Sequence, residues 1–572
     1  VKERKGQTSV PGTVNLADTT FDKPTDIANA FATYFSSVYT SKSNQSIDGN
    51  DSHSINQLMN ISVNEEEIIK SIKRLKNNQV AGSDKIPSFL VKDCAGVFVK
   101  PLLYIFQLSI KTSTYPEIWK NSKVIPMYKK GDISDVANYR PISILSNFSK
   151  VFETLIYSQI SFDLKNIFSE NQHGFFGGRS TLTNLTCMTQ TIAEVLDKRG
   201  QIDVIYTDMS KAFDKVNHEL LLSKMSKLGF SCALVDFFKS YLFNRKNFVT
   251  LNGFVSAPYI STSGVPQGSN LGPVLFNIYV NDLALALNTH SLMYADDIKL
   301  YHEIVTIDDC SILQHLIEIL HKWCMLNGIS LNIPKCAVIS FTRCFNQHYF
   351  DYKISNQSIA RKTSFEDLGV VFDAKLDFNG HVNNLIEKSY KTLGFVTRNC
   401  KDINDIKSLK SLYNSLIRSR LEYCSLVWFP YYNQPKIALE KVQRKFLKVL
   451  YHKSLKMWPN RNCSQQQLLK MFNMESLQCR RIISAVLFFH KLVNNKIDCS
   501  KLLNLVRFAV PRMSSRNNTI LYPYVSNTNV GLKAPFSVMS KYVNELSDYD
   551  VNFLSTRALR LVLKGMYSNL LM

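Results

Sequence analysis

An α+β fold is what this 572-residue sequence predicts, on three observations. Short apolar, β-branched stretches are interleaved with amphipathic helical ones up to about residue 375. Two of the apolar stretches end in, or turn on, carboxylates. From roughly 381 to 500 the pattern is helical throughout, including Ser408–Leu421, Ile437–Leu450 and Cys479–Val493.

The carboxylates organise the rest. Met293-Tyr294-Ala295-Asp296-Asp297-Ile298, followed by Lys299-Leu300-Tyr301, reads as a β-hairpin whose tight turn carries two adjacent acids. Side chains alternate along a strand, so Asp296 and Asp297 do not both belong to one solvated face, and at least one is placed where charge is costly. A divalent cation relieves that cost, and carboxylate oxygens suit Mg²⁺ or Mn²⁺. Upstream, Asp203-Val204-Ile205-Tyr206-Thr207-Asp208 is an apolar strand ending in a third acid, Asp208. Three acids from two strand ends suffice for a two-metal site. Asp-Asp in a turn is common by itself, and the weight comes from further segments in a fixed order.

Apolar content of 45% marks a globular chain, and its length predicts about three or four domains. The formal net charge of +22 is the footprint of a nucleic-acid binder, shared with proteins of membrane surfaces. Twelve cysteines include no Cys-x-x-Cys pair and several sit in apolar runs, which predicts reduced, buried thiols in an intracellular protein. No apolar run reaches 18 residues and no charged-then-apolar leader opens the chain, so neither a membrane span nor a signal peptide is expected. Because the chain opens on Val1 rather than Met, it reads as a piece of a longer frame.

In chain order, residues 1–60 read as a polar linker holding one amphipathic helix, Ile27 to Val38, with Phe31, Tyr34 and Phe35 at helical spacing. Ser62-Val63-Asn64-Glu65 has the form of a capping box opening a helix through Leu75. After an apolar helix over roughly 89–110, Lys120 to Asp132 runs as a strand into a basic hairpin, and Asn138-Tyr139-Arg140-Pro141-Ile142-Ser143 continues it. Lys129, Lys130 and Arg140 either grip a triphosphate or form a plain solvated turn. Gly178-Arg179-Ser180-Thr181 enters a helix running to about 197, and serves either as a phosphate site with one cation or as an ordinary helix cap. Leu220–Leu228 and Leu234–Phe243 read as helices behind a sheet. The Gly/Pro-locked loop Thr262 to Pro273 brings backbone close to a ligand, with Gln267 able to touch a sugar or base edge, and feeds an apolar helix to about Leu287. A helix over about 308–326, a strand Val338 to Phe341 and a short strand pair spanning Phe365 to Phe372 follow.

This order of segments resembles the reverse transcriptase of non-long-terminal-repeat retrotransposons, jockey-like elements in particular, over roughly 60–455. The residues carrying the resemblance are the basic hairpin, Tyr139-Arg140-Pro141-Ile142-Ser143, Gly-Arg-Ser-Thr, Lys211-Ala212-Phe213-Asp214 after Asp208, and Gly264-Val265-Pro266-Gln267-Gly268. Tyr294-Ala295-Asp296-Asp297, Leu368-Gly369-Val370 and Arg420 to Trp428 complete the set. The resemblance implies a right-hand polymerase with fingers, a palm of split βαβ type and a helical thumb. It implies an RNA-directed DNA polymerase with two Mg²⁺ or Mn²⁺ ions on Asp208, Asp296 and Asp297, an RNA template, a DNA primer or target, and dNTPs. Lys129 or Lys130 with Arg140 match the triphosphate grip. Phe213 matches the bulky residue that excludes a 2′-hydroxyl, and Gln267 the residue touching template and nucleotide.

Lys335 matches a lysine proposed to protonate pyrophosphate, against the plainer reading of an exposed lysine. Leu368 and Gly369 match the primer grip. Arg179 and Gly268 match template or primer contacts, and Lys441 and Arg444, with Lys445 and Lys448, match thumb cations tracking the duplex backbone. Relatives carry an upstream endonuclease, for which residues 1–60 are too short, so the chain is expected to be a C-terminal portion acting in the nucleus. Cys463, Cys479, His490 and Cys499 lack zinc-knuckle spacing, and no zinc is expected.

The divisions expected are 1–60 linker, 61–200 fingers and N-terminal extension, 201–375 palm, with the reverse transcriptase domain over about 105–375, then 376–500 thumb and 501–572 of unknown role. Two competing readings are an RNA-dependent RNA polymerase, opposed by Phe213 and the thumb motif, and a decayed or domesticated non-catalytic nucleic-acid binder. An altered acid would favour the second, and none is altered.

Overall fold

A computed structural model describes residues 10–40, 61–509, 519–546 and 554–567. The chain clusters into two compact units built from interleaved segments. One comprises 1–175, 208–288 and 319–332, the other 176–207, 289–318 and 333–572, so neither coincides with a single contiguous division expected from sequence.

The first unit is built around a sheet in which the strand Asn121–Tyr128 pairs antiparallel with Tyr139–Ile144 and parallel with Lys246–Leu251. The amphipathic helix is present as Pro24–Ser37, with proline in its first turn where a missing N–H costs nothing. It buries Phe31 and Phe35 against Tyr139, Val124 and Val249, and Phe31 meets Tyr139 edge-on at 5.0 Å. A short hairpin, Val14–Leu16 with Thr19–Phe21, precedes it, so the described part of the expected linker belongs to this core. Residues 41–60 lie outside the described set. The helix Glu65–Arg74 is capped by Asn64, whose carboxamide oxygen accepts from Glu67 N at 2.9 Å, rather than by the expected Ser62 box. The apolar stretch near 89–110 divides into Ser88–Asp93 and Ala95–Lys111. Further helices of this unit, Asn147–Leu164, His218–Lys227, Cys232–Leu242 and Gly272–Ala286, bury apolar side chains along their length.

In the second unit the central strand, Gln201–Thr207, is buried at every position, as a strand covered on both faces must be. Five strands run in the order Ser291–Tyr294, Asp297–Ile304, Gln201–Thr207, Ala337–Thr342, Ala360–Arg361, antiparallel except for the last pair. The helix Thr181–Asp197 packs behind them, opened by Ser180 and Thr183 in a reciprocal capping box. The strand pair near 365–372 is Ser364–Asp367 with Val370–Asp373. Helices Asn379–Asn399, Ile406–Tyr413, Asn433–Leu455 and Leu477–Val493 share one apolar core with the sheet. Described parts of 501–572 join that core through Leu521, Phe536, Met539, Leu559 and Leu563, and Gln190 accepts from Phe536 N at 3.0 Å.

Among the described residues no helix is long and apolar enough to cross a membrane. All twelve cysteines are unbridged thiols, most of them buried.

Candidate active site

The acid hairpin is as tight as expected, but the acids are distributed differently. Tyr294 pairs with Asp297, so the turn is Ala295-Asp296 and Asp297 opens the returning strand. Ala295 takes φ +57 and is buried, a left-handed backbone that costs a non-glycine residue about 1–2 kcal/mol. Strain of this kind persists where surrounding structure over-determines it. Asp296 is half-buried and Asp297 exposed. On the neighbouring strand Thr207 pairs with Ile298, the residue after Asp297, and the chain leaves Thr207 directly into Asp208, itself half-buried.

Beneath the hairpin lies a charge the sequence reading passed over. Lys299 is buried and meets Asp367 Oδ2 at 2.6 Å, while Asn184 Oδ1 accepts from its ammonium at 2.5 Å. Burial pushes the Asp367 carboxyl up, opposed by Lys299. Asp367 closes onto the turn Leu368-Gly369, at φ +44 and +84. Tyr423, from the Arg420 to Trp428 segment, donates its hydroxyl to Leu368 O at 2.8 Å, and its ring lies 3.3 Å from where a Cβ on Gly369 would stand. The expected primer-holding turn is thus clasped by the expected thumb motif.

In the first unit the Gly/Pro loop is pinned by several hydrogen bonds. Gly264 O accepts from His218 Nε2 at 2.7 Å, and burial keeps that imidazole's pKa low. Gln267 O accepts from Ser143 N at 2.7 Å, and Asn270 N donates to the buried Glu153 at 2.7 Å. Gln267 Nε2 donates to Asp214 Oδ1 at 2.7 Å. A Cβ on Gly268, at φ +117, would stand 2.5 Å from Ser143 O, so glycine here lets the loop lie against the fingers strand. Asp214, quoted in the sequence motif without a role, is buried beside this loop. Burial raises its carboxyl to about 6, against hydrogen bonding from Gln267, and it lines a small pocket with Tyr39, Arg245, Tyr259 and Gln267.

Phe213 lies one residue away. Its ring stacks on Phe276 at 4.3 Å and meets Phe175 edge-on at 5.9 Å, a fixed, half-buried wall. Lys129, Lys130 and Arg140 are exposed around the fingers hairpin, where Arg140 stands opposite Met127 and Lys129 N donates to Asn138 O at 2.9 Å. Lys335 is exposed in the short turn Ile333–Lys335. Lys441 and Arg444 line, with Lys436, Glu440 and Gln465, a groove of about 500 Å³.

Arg179 departs from expectation. Its side chain is 4% exposed, pairs with Asp498 at 3.3 Å and stacks over Phe176 at 4.4 Å, while Asp498 N donates to Gly178 O. A guanidinium so enclosed ties the entry of the helix Thr181–Asp197 to the segment before Cys499 instead of presenting a cation to nucleic acid. Of the two readings of Gly-Arg-Ser-Thr, the helix cap is the one formed.

Residues 127–397, which take in the acid hairpin and the Gly/Pro loop, match the family model described as reverse transcriptase (RNA-dependent DNA polymerase). The family uses divalent metal ions. Within that class the chain is similar to polymerases of jockey-like, non-long-terminal-repeat retrotransposons. It is 28% identical over 341 residues to the probable RNA-directed DNA polymerase from transposon BS of Drosophila melanogaster, covering 57% of this chain and 38% of that protein. It is 28% identical over 339 residues to the RNA-directed DNA polymerase from mobile element jockey of Drosophila funebris, covering 57% and 37%. Against the probable polymerase from transposon X-element of Drosophila melanogaster the identity is 28% over 328 residues, covering 56% and 36%. The matches thus span under two-fifths of those relatives' length. Among solved structures, apo telomerase from Candida tropicalis aligns over 73% of this chain and 72% of its own, at 10% identity and a TM-score of 0.36.

Proposed function

We propose that the chain is the polymerase portion of a jockey-like retrotransposon protein, and that it extends a DNA 3′ end on an RNA template. The observation carrying this is the register of the acid hairpin. Because Ile298 pairs with Thr207, the strand that Asp297 opens starts beside the strand end that runs into Asp208. Asp208, Asp296 and Asp297 offer only carboxylate oxygens, a donor set that fits Mg²⁺ or Mn²⁺. Two such ions, when bound, lower the pKa of the primer 3′-hydroxyl and neutralise charge on the departing pyrophosphate.

The chain's own residues do the rest. Lys129, Lys130 and Arg140, exposed on one hairpin, bind the triphosphate, Arg140 in bidentate fashion. The Phe213 wall stands beneath the sugar and rejects a 2′-hydroxyl by contact. Gln267, its amide oriented by Asp214, reads the nucleotide and template. Leu368 and Gly369 hold the primer end, and Lys441 and Arg444 meet duplex phosphates. Lys335, exposed, protonates pyrophosphate as it leaves. The partners are an RNA template, a DNA primer or target, and dNTPs, with action in the nucleus where target DNA lies.

The test is extension of oligo(dT) on poly(rA) with dTTP and Mg²⁺ or Mn²⁺, beside Asp296→Asn. Metal-dependent synthesis lost in the variant, with its melting temperature unchanged, is the expected result. Synthesis that survives Asp296→Asn, or a folded wild type that binds template-primer without extending it, sinks the reading.

A further inference from the structure

Burying a lysine is costly, and Lys299 is 1% exposed two residues beyond Asp297. Strand alternation puts it on the same face as Asp297. Its ammonium touches two different elements: Asp367, which enters the Leu368-Gly369 turn, and Asn184, on the helix behind the sheet. Asn184 is fully buried, and it turns its amide to the other strand of the hairpin, donating to Met293 O at 3.1 Å. One buried cation therefore joins both strands of the acid hairpin to the turn read as the primer grip.

Stability alone is a poor reason for such a pair. Well-packed apolar side chains of similar volume serve as well or better, because the ions must be stripped of water. An apolar pair lacks direction, however, whereas an ammonium shared between two fixed acceptors holds position to hydrogen-bond tolerance. We propose that Lys299 and Asp367, with Asn184, are positioning residues that set the acid hairpin against the Leu368-Gly369 turn. They thereby fix the distance between the carboxylates and the primer end. The inference rests on the polymerase reading of both elements.

The experiment compares wild type, Lys299→Met, Asp367→Asn, the paired apolar variant K299M/D367L, and Asn184→Ala, by thermal melting and by primer extension at varied Mg²⁺. Each single variant at the ion pair strands a buried charge and melts lower. The paired variant is expected to recover wild-type melting while kcat stays about a hundredfold down and Mg²⁺ demand rises, the size of loss that about 1 Å of misplacement causes. K299M/D367L that melts and polymerises like wild type overturns the proposal, since a merely structural pair would be fully replaced. If K299M/D367L does not fold, Asn184→Ala, which leaves the ion pair in place, decides. A kcat lower by about tenfold with a raised Mg²⁺ requirement supports positioning, and unchanged values overturn it. A folded wild type without extension fails the polymerase reading itself.

Discussion

Replacing Asp214 by Asn should stabilise the protein at neutral pH while damaging nucleotide use. Asp214 is buried and its carboxyl is raised from an ordinary 3.8 to about 6. Below pH 4 it is protonated whether the chain is folded or not, and contributes nothing. Between about 4 and 6 the unfolded chain gives up this proton while the folded one keeps it, so stability falls as pH rises. Above 6 the loss is complete, at about 3 kcal/mol for a gap of roughly two pKa units. Asparagine has no such proton, and its Oδ1 can still accept from Gln267 Nε2, so the variant escapes the loss.

Urea unfolding of the wild type and Asp214→Asn at pH 4.5, 5.5, 6.5 and 7.5 measures this. The difference between the two curves matters, because other groups titrate in the same range. The gain from substitution should be small at pH 4.5 and should grow to a plateau above pH 6.5. Curves that run parallel across the range refute the burial argument. The function should move the other way: ionised Asp214 only accepts, which holds Gln267 in one orientation, whereas asparagine can flip and present its own donor. The dTTP KM should therefore rise, and a group near pH 6 in the acid limb of kcat/KM should disappear.

Two further outcomes follow from the same loop and its neighbours. Phe213→Val removes the ring held by Phe276 and Phe175, and discrimination between dTTP and UTP should fall by at least about tenfold, read from the two kcat/KM values. Gly268→Ala forces a Cβ to within 2.5 Å of Ser143 O at φ +117, so melting should reveal a loss of about 1–3 kcal/mol and the loop should lift from the fingers strand, raising the dTTP KM.

What the sequence disclosed, and what it withheld, divides along physical lines. The acid hairpin, the strand into Asp208, the Gly-Val-Pro-Gln-Gly loop and nearly every helix from Thr181 to Val493 were legible, because period and turn chemistry are local. The helix Pro24–Ser37 was legible for the same reason. The Ser62-Val63-Asn64-Glu65 pattern places the cap two residues early, because Asn64 supplies it. Arg179 was the larger miss. Beside glycines at a helix start, a cation looks available, and only the position of Asp498, more than three hundred residues on, takes it out of solvent.

Lys299 and Asp214 carried a signal that local reasoning discounts. Each is an ionisable residue within a run whose neighbours are buried: Ile298 and Leu300 flank Lys299, and Ala212 and Val216 bracket Asp214. A charge in such a place must find a partner or alter its proton affinity. Lys299 takes the first course, with Asp367, and Asp214 the second, with its carboxyl raised to about 6. Neither partner is nearby in sequence, since Asp367 lies 68 positions on and Gln267 lies 53. That is why the pattern announces a constraint without naming it. In this chain both constraints converge on the elements read as chemical, one under the acid hairpin and one under the nucleotide loop. Glu153, buried among apolar helix residues, meets the same demand by accepting from Asn270 N at the far end of that loop.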